Sequence, residues 1–364
     1  MQTTTEGSAD GSQARIPPSL DRLTAYSWRF LVIIAAAAVF VWVLVQLRLI
    51  VLPVIVALLI STLLAPPAQW LRERGWPNLL ATWLVILGAM AVVGGVFAFI
   101  APRIVGQVGT LTEDLRAGSE RAIQWLTEGP LGISEGQVQR FIDQASQRLQ
   151  ENSSTLTQGA LAGAIRAVEL VAATILTFVV TFFFVKDGPE MWRWAVDRMP
   201  AGRHRDINEI GRRAWTTLGA YIRGTALIAL IDAVLIGIAL WIVGVPLVAP
   251  LALLTFFGGF FPVVGAFAAG LVAVLVALAS GGVIDALIIG IVITAIQQLE
   301  GDLLQPIIIG RAVRLHPLVV LLALTSGAIV AGVAGAFLAV PVAAVASTVG
   351  NYLRAGDESP APVS

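Results

Sequence analysis

The sequence predicts an all-α, polytopic membrane protein with about eight transmembrane helices. Hydrophobic residues make up 57% of the chain and charged residues only 13%, about half the charged fraction of a soluble domain. The mean hydropathy is +0.85, and several apolar runs reach the roughly 20 residues that a helix needs to cross a bilayer. The runs are continuous and do not alternate with polar residues, which favours helices over the strands of a barrel.

Eight apolar runs are the candidate spans. Only Arg48 separates the first two, so we expect a tight helical hairpin there. The spans cover roughly 30–47, 49–65, 79–101, 160–185, 224–243, 250–280, 283–299 and 317–349.

The charges between the spans predict the topology. Residues 103–158 carry seven Asp or Glu against five Arg, whereas 186–223 carry eight Lys or Arg against five acidic residues. The positive-inside rule therefore places 186–223 and both termini in the cytoplasm and the acidic insert outside. The predicted segments are an N-terminal tail (1–28), spans one to three (29–102), a helical extramembrane insert (103–158), span four (159–185), a cytoplasmic amphipathic insert (186–223), a two-repeat transport core (224–350) and a C-terminal tail (351–364).

Two apolar runs in the C-terminal half, 250–280 and 317–349, are interrupted by helix breakers, which predicts re-entrant or broken helices. Irregular backbone at membrane depth is tolerated only when protein buries it or when it lines an aqueous cavity. Paired interrupted segments are also the best sequence indication of a transport site. The breakers are Gly258, Gly259, Pro262 and Gly265 in the first run and Gly327, Gly332, Gly335 and Pro341 in the second, with Pro306 and Gly310 in the connection between them.

Two octapeptides indicate an internal repeat. Residues 231–238 read IDAVLIGI and residues 284–291 read IDALIIGI, and each is followed by a Pro-Leu pair and then Gly-Ala-Phe. The alternative is chance similarity between aliphatic spans. A unit of one straight span and one broken span crosses the membrane twice, so we expect a parallel repeat with Asp232 and Asp285 on the same side.

Acidic and amide side chains around these segments are the candidate binding residues. A carboxylate in hydrocarbon costs several kcal/mol, so it faces a partner or a cavity and indicates function. Asp232 lies deep in its span, whereas Asp285 follows Gly281-Gly282 and can instead cap a helix N-terminus. The remaining candidates for binding a solute or ion are Gln297, Gln298, Glu300, Asp302, Gln305 and His316.

The stretch 300–315 has two interpretations. It is either a re-entrant hairpin whose half-helix ends and free carbonyls bind a solute or cation, or a solvated surface loop. Its many apolar residues favour the hairpin. His316 precedes Pro317 and is either a neighbour of a helix N-cap or a group that couples transport to protons.

Several function classes have no support in the sequence. The chain has no Cys, and its one lysine, Lys186, is followed by Asp, so no Walker A phosphate loop exists. Motifs of zinc proteases and of serine hydrolases are also absent. We therefore predict no enzyme and no cofactor, and transport that is driven by a gradient. The net charge of zero gives no reason to expect a nucleic-acid partner.

Residues 186–349 resemble the autoinducer-2 exporter family of bacterial membrane proteins, the PerM-type permeases. The resemblance is carried by KDGP at 186–189, GGFFPVVG at 258–265, QQLEGDLLQPIIIGRAVRLHPLVVLLAL at 297–324 and GVAGAFLAVP at 332–341. Many members have Gly-Asn where this chain has Gly301-Asp302. The resemblance implies eight spans in a bacterial inner membrane, a homo-oligomer that is pentameric in characterised relatives, and export of a small polar signal molecule.

The predicted function is therefore a transporter that exports or facilitates a small polar solute, by resemblance one like autoinducer-2. Its partners would be the solute, a coupling cation (H⁺ or Na⁺) and the lipid bilayer. One alternative is a Na⁺/H⁺ antiporter, because some relatives are assigned that activity. Another is a membrane scaffold that does not transport and holds an external partner through 103–158.

Overall fold

A computed structural model describes residues 18–100, 102, 160–261, 264–308 and 315–357, and these residues are helical apart from short connections. The predicted insert 103–158 and the breakers Pro262 and Gly310 lie outside the described residues. The helices are α1 (Pro18–Gln46), α2 (Arg48–Glu73), α3 (Asn78–Ile100), α4 (Ala160–Val196), α5 (His204–Val243), α6 (Val248–Gly258), α7 (Val264–Gly281), α8 (Val283–Leu299), α9 (Gln305–Ile308) and α10 (Pro317–Asp357).

Within the described residues, seven helices are long and apolar enough to cross a membrane. This finding confirms the all-α polytopic class. The tight hairpin expected at Arg48 stays a prediction.

The basic stretch 186–223 forms the ends of two long helices. Helix α4 continues to Val196, and α5 begins at His204 after a short connection that includes one 3₁₀ turn. The Trp192 indole N–H donates to Asn208 Oδ1 at 2.9 Å, and the same ring covers Gly211, where a Cβ would overlap it. These contacts hold the two helix ends together.

Both interrupted apolar runs fold back on themselves. In the first run, α6 and α7 form hairpin 1, and a Cβ added at Gly265 would overlap the carbonyl group of Gly258. Seven residues of straight helix would separate two such positions by about 10 Å. The chain must therefore reverse between the two glycines.

Helix α10 contains an equivalent reversal, which we call hairpin 2. Its helical backbone is interrupted at Ala331 and Gly332, and Gly332 has φ +61° and ψ −141°, a conformation open essentially to glycine alone. A Cβ at Gly335 would overlap the carbonyl of Gly327. Helix breakers at corresponding places in the two predicted repeat units thus form hairpins of the same kind.

The tips of the two hairpins meet. The Phe261 and Phe337 rings have centroids 5.4 Å apart, and Phe260 lies 6.5 Å from Phe337. Gly259 at the tip of hairpin 1 packs on α5, where its Cβ would lie 2.7 Å from the Cβ of Ala229. Ala229 lies one helical turn before Asp232, so the tips converge beside that residue.

Hairpin 1 and hairpin 2 approach this point from opposite ends of α5. Hairpin 1 begins immediately after α5 ends. The far end of hairpin 2 instead lies at the start of α5, because the Tyr352 hydroxyl donates to Asp206 Oδ1 at 3.1 Å. The Thr217 and Thr348 hydroxyls are 3.2 Å apart on the way to the tips.

Helices α5 and α8 run in opposite directions. Ile236 and Leu240 of α5 share one buried apolar cluster with Ile289 and Ile296 of α8, while Asp232 contacts Glu300. Increasing residue numbers along α5 therefore face decreasing residue numbers along α8, so the two helices are antiparallel. The expected parallel arrangement, with both aspartates on one side, is wrong because a hairpin that reverses adds no net crossing to a repeat unit.

Arg223 links α5 to a helical defect in α2. Pro66 has no N–H, so it cannot donate the helical hydrogen bond to the carbonyl of Thr62. Arg223 Nη1 donates to this carbonyl at 3.1 Å. A proline inside a membrane helix leaves a carbonyl that needs another donor, and this arginine supplies it.

Replacing Gly335 by alanine tests the fold of hairpin 2. The added methyl group would overlap the Gly327 carbonyl, so we expect a loss of about 1–3 kcal/mol in the free energy of unfolding. The control is Gly350→Ala in the same helix, where a Cβ meets nothing within 4 Å, and where alanine should be neutral or stabilising. Thermal unfolding in detergent measures both. Equal melting temperatures for the two variants would contradict the close backbone contact.

A double-mutant cycle tests the contact between Arg223 and the Thr62 carbonyl. Arg223→Met should cost about 1–3 kcal/mol because it leaves a buried acceptor unpaired. In a Pro66→Ala background the new amide can donate to that carbonyl, so the same substitution should cost less. Equal losses of unfolding free energy in both backgrounds would show that Arg223 does not act through this carbonyl.

Candidate functional site

Two carboxyl groups meet in the interior where the hairpin tips converge. Asp232 of α5 is only 4% exposed, and the half-buried Glu300 lies within hydrogen-bond reach of it. Asp232 Oδ1 is buried and has no hydrogen-bond partner among the residues that the structure describes. Like charges at this distance repel strongly unless a proton or a cation lies between them. Two carboxyl groups in this position are therefore compatible when a proton or a cation lies between them.

A π-helical turn positions Glu300. Helix α8 ends at Leu299, and residues Glu300–Leu304 form a π turn before α9 begins at Gln305. Such turns insert an extra residue into a helix and are frequent at functional sites. Gln305 Nε2 donates to Glu300 Oε1 at 3.1 Å, so the amide holds one carboxylate oxygen of the pair.

The region around the pair combines apolar packing with few polar groups. The buried cluster of Ile236, Leu240, Ile289 and Ile296 begins one turn beyond the pair on both helices. On the other side lies a second cluster, formed by Leu59 of α2, residues near Tyr221 of α5 and residues near Leu338 of α10. In such surroundings an unpaired charge is costly, which favours a neutral or cation-bound state of the carboxyl pair.

Apart from Gln305, the other predicted polar residues do not join this pair. Gln298 and Asp302 are exposed, and Gln297 is half-buried without a hydrogen bond to any described residue. Asp285 lies in the first turn of α8 with Oδ2 against Gly281, where a carboxylate complements the helix dipole. It is 15 residues from Glu300, about 22 Å along the helix.

His316 lies at the start of α10. Its Nδ1 accepts a hydrogen bond from the Leu318 amide at 3.2 Å, and its ring is exposed. This geometry is that of a helix N-cap. Of the two interpretations made from the sequence, the structure thus supports the one that places His316 at a helix N-cap.

The connection after α8 is helical for most of its described length. Residues Val283–Ile308 form one continuous helical segment, with Pro306 exposed in its last turn. Residues 309–314 of the predicted 300–315 hairpin lie outside the described residues.

Sequence reasoning missed three contributors to this region. Arg223 was not a candidate in the sequence analysis, although the consecutive prolines Pro66 and Pro67 of α2 indicate free backbone carbonyls that need donors. The aromatic contact of Phe261 with Phe337 and the packing of Gly259 on Ala229 left no signal in the sequence. Each joins residues that are distant along the chain.

The apolar helices agree with the similarity of this chain to known transport proteins. The family model "AI-2E family transporter" matches residues 30–355. The chain is 40% identical over 350 residues to "Putative transport protein MT0215" of Mycobacterium tuberculosis (strain CDC 1551 / Oshkosh), covering 96% of this chain and 95% of that protein. It is 29% identical over 304 residues to YrrI of Bacillus subtilis (strain 168), covering 82% and 85% of the two chains.

Substituting Asp232 tests the state of the pair. Asparagine has the same shape and can donate a hydrogen bond to Glu300, as a protonated aspartate would. We therefore expect Asp232→Asn to unfold at or above the wild-type temperature, and Asp232→Ala to lose about 1–3 kcal/mol because Glu300 loses its partner. A large destabilisation by Asp232→Asn, measured by thermal unfolding at neutral pH, would contradict a pair that is held together by one shared proton.

The described residues include seven apolar helices long enough to cross a bilayer, and the family match covers nearly the whole length of the chain. The sequence resemblance to the autoinducer-2 exporters is thereby confirmed at the level of the family. The chain is a multi-pass membrane protein and belongs to the AI-2E transporter family.

Proposed function

We propose that this chain is a gradient-driven transporter that exports or facilitates a small polar solute, like autoinducer-2 by family resemblance. The observation that supports the proposal is the buried contact of Asp232 with Glu300 beside the tips of the two hairpins. Intramembrane carboxyl groups are costly and are found on ion and substrate pathways. Binding sites formed where interrupted helices meet are a recurring feature of secondary transporters.

The proposed role of the carboxyl pair is to bind the coupling cation. With H⁺ or Na⁺ bound, the pair is close to neutral and tolerates apolar surroundings. Without the cation, two adjacent negative charges favour exposure to water. Cation binding would therefore bias the helices between an occluded and an open arrangement, which is the requirement for coupling a gradient to movement.

The hairpins would supply access from the two sides. We propose that both are re-entrant, with hairpin 1 and hairpin 2 entering from opposite faces of the membrane. This follows if α5 spans the bilayer, because the hairpins approach Asp232 from opposite ends of this helix. Opening one tip contact at a time would expose the carboxyl pair alternately to each side.

A Na⁺/H⁺ antiporter is the second candidate, and the same carboxyl pair favours it. Two carboxyl groups suffice to exchange one cation for a proton without any solute. We also propose, from the family resemblance, a homo-oligomer, pentameric like characterised relatives, in the bacterial inner membrane with both termini in the cytoplasm.

Flux through proteoliposomes tests the assignment of the pair. Glu300→Gln and Asp232→Asn should each reduce cation-coupled flux at least tenfold, because either change removes a carboxylate that binds the cation. A pH-sensitive dye inside the vesicles reports proton movement after a Na⁺ pulse, and labelled autoinducer-2 reports solute movement. Solute flux without Na⁺-driven proton movement would discard the antiporter.

Two matched controls separate a site effect from a general charge effect. Asp302→Asn removes an exposed carboxylate in the same π turn as Glu300, and Asp285→Asn removes one at the far end of α8. Both variants should retain wild-type flux. Intact flux in Glu300→Gln, or an equal loss in Asp302→Asn, would reject the assignment of the site to the carboxyl pair.

A further inference from the structure

A polar pocket lies far from the carboxyl pair, at the opposite end of the cluster of helices around α5. It has a volume of about 560 Å³ and is formed by the first turns of α5 together with the end of α10. Its lining residues are Arg205, Asn208, Glu209, Arg212, Arg213 and Tyr352.

The pocket has more positive than negative charge. Three guanidinium groups line it against the single carboxylate of Glu209. Glu209 Oε2 accepts from Arg212 Nε at 2.9 Å, and Oε1 accepts from Arg212 Nη2 at 2.7 Å and from Arg213 Nε at 2.6 Å. The nearby Asp206 accepts from the Tyr352 hydroxyl. Even with this second carboxylate counted, one positive charge remains.

Many guanidinium donors in the pocket are unused. An arginine has five N–H donors, and Glu209 takes only two from Arg212 and one from Arg213. Arg205 is exposed and makes no hydrogen bond or ion pair with any residue that the structure describes. Planar guanidinium donors that converge on one pocket match the oxygens of a phosphate group.

The second helix shapes the pocket and fixes one arginine. The guanidinium of Arg213 lies over the Tyr352 ring, 4.7 Å from its centroid. This contact and the ion pair with Glu209 hold Arg213 from two sides. The pocket is therefore a concave surface made by two helices and not a row of charges along one of them.

The surroundings of the pocket are those of a membrane–water boundary. Trp192 is 42% and Trp215 40% exposed, and Trp192 donates to Asn208 of the pocket wall. Exposed tryptophans are enriched at the headgroup level of a bilayer. Basic pockets between helices at this level are suited to anionic lipid headgroups.

We propose that this pocket binds a phosphate group, and that its source is the headgroup of an anionic phospholipid. Arg205 is the free guanidinium that engages the phosphate, and Arg212 and Arg213 contribute their unused donors. Glu209 orients these two arginines and also limits the affinity of the pocket for anions. This site is independent of the carboxyl pair, so its test is independent of the proposed transport function.

Lipid binding to the full chain tests the proposal in two arms. In the first, native mass spectrometry counts phosphatidylglycerol or phosphatidylcholine retained by the protein. In the second, calorimetry in neutral detergent measures binding of inorganic pyrophosphate. Arg205→Gln should weaken phosphatidylglycerol binding on the order of tenfold, because a hydrogen bond between charged groups is lost. Glu209→Gln should strengthen it, because two guanidiniums lose their carboxylate.

Arg198→Gln is the matched control. Its guanidinium also lies near this end of the helices but stacks on Trp194 at 3.5 Å, outside the pocket. Binding of phosphatidylglycerol that depends on Arg205 and not on Arg198 supports the proposal with a lipid source. Pyrophosphate binding alone, with the same dependence, supports a phosphate site and rejects the lipid source. No binding in either arm, or equal losses in the Arg205 and Arg198 variants, overturns the proposal.

Discussion

The contacts of Gly258 with Gly265 and of Gly327 with Gly335 determine the arrangement of the C-terminal half. In each pair the backbones approach so closely that no side chain fits between them. This approach lets each apolar segment reverse with its two backbones in direct contact. Two reversals of this kind bring Phe261 and Phe337 together and leave a packed junction in which polar groups can be sheltered.

The packing at that junction determines the surroundings of the carboxyl pair, Asp232 and Glu300. Asp232 would be costly on a lipid-facing helix surface, but here it lies beside Glu300, with apolar clusters above and below. Removing water strengthens the repulsion between the two groups and also strengthens their attraction for a proton or cation. The π turn after α8 belongs to the same arrangement, because it places Glu300 at the α5 surface and Gln305 within reach of it.

Helix α5 connects this junction to the polar pocket near its N-terminus. Helix α5 carries Asp232 in its apolar half and the arginines of the polar pocket in its first turns. Arg223 lies between them and donates to the carbonyl that Pro66 leaves without a helical donor. One helix thus carries a buried carboxyl group, a donor for a free backbone carbonyl and an excess of positive charge near its N-terminus.

Composition and the lengths of apolar runs determined that the chain is an all-α membrane protein, because hydrocarbon excludes unpaired backbone. The glycines of 250–280 and 317–349 located both interruptions, the cost of a buried carboxylate identified Asp232 as a candidate, and the polar residues after 283–299 identified Glu300. Only the tertiary structure decided that the interruptions are reversals, that α5 and α8 run in opposite directions, and that Asp232 pairs with Glu300 and not with its sequence counterpart Asp285. The local sequence pattern indicates the free-energy cost of burying Asp232 in lipid. Its partner Glu300 lies 68 residues away along the chain, and only the packing of α5 against α8 brings the two residues together.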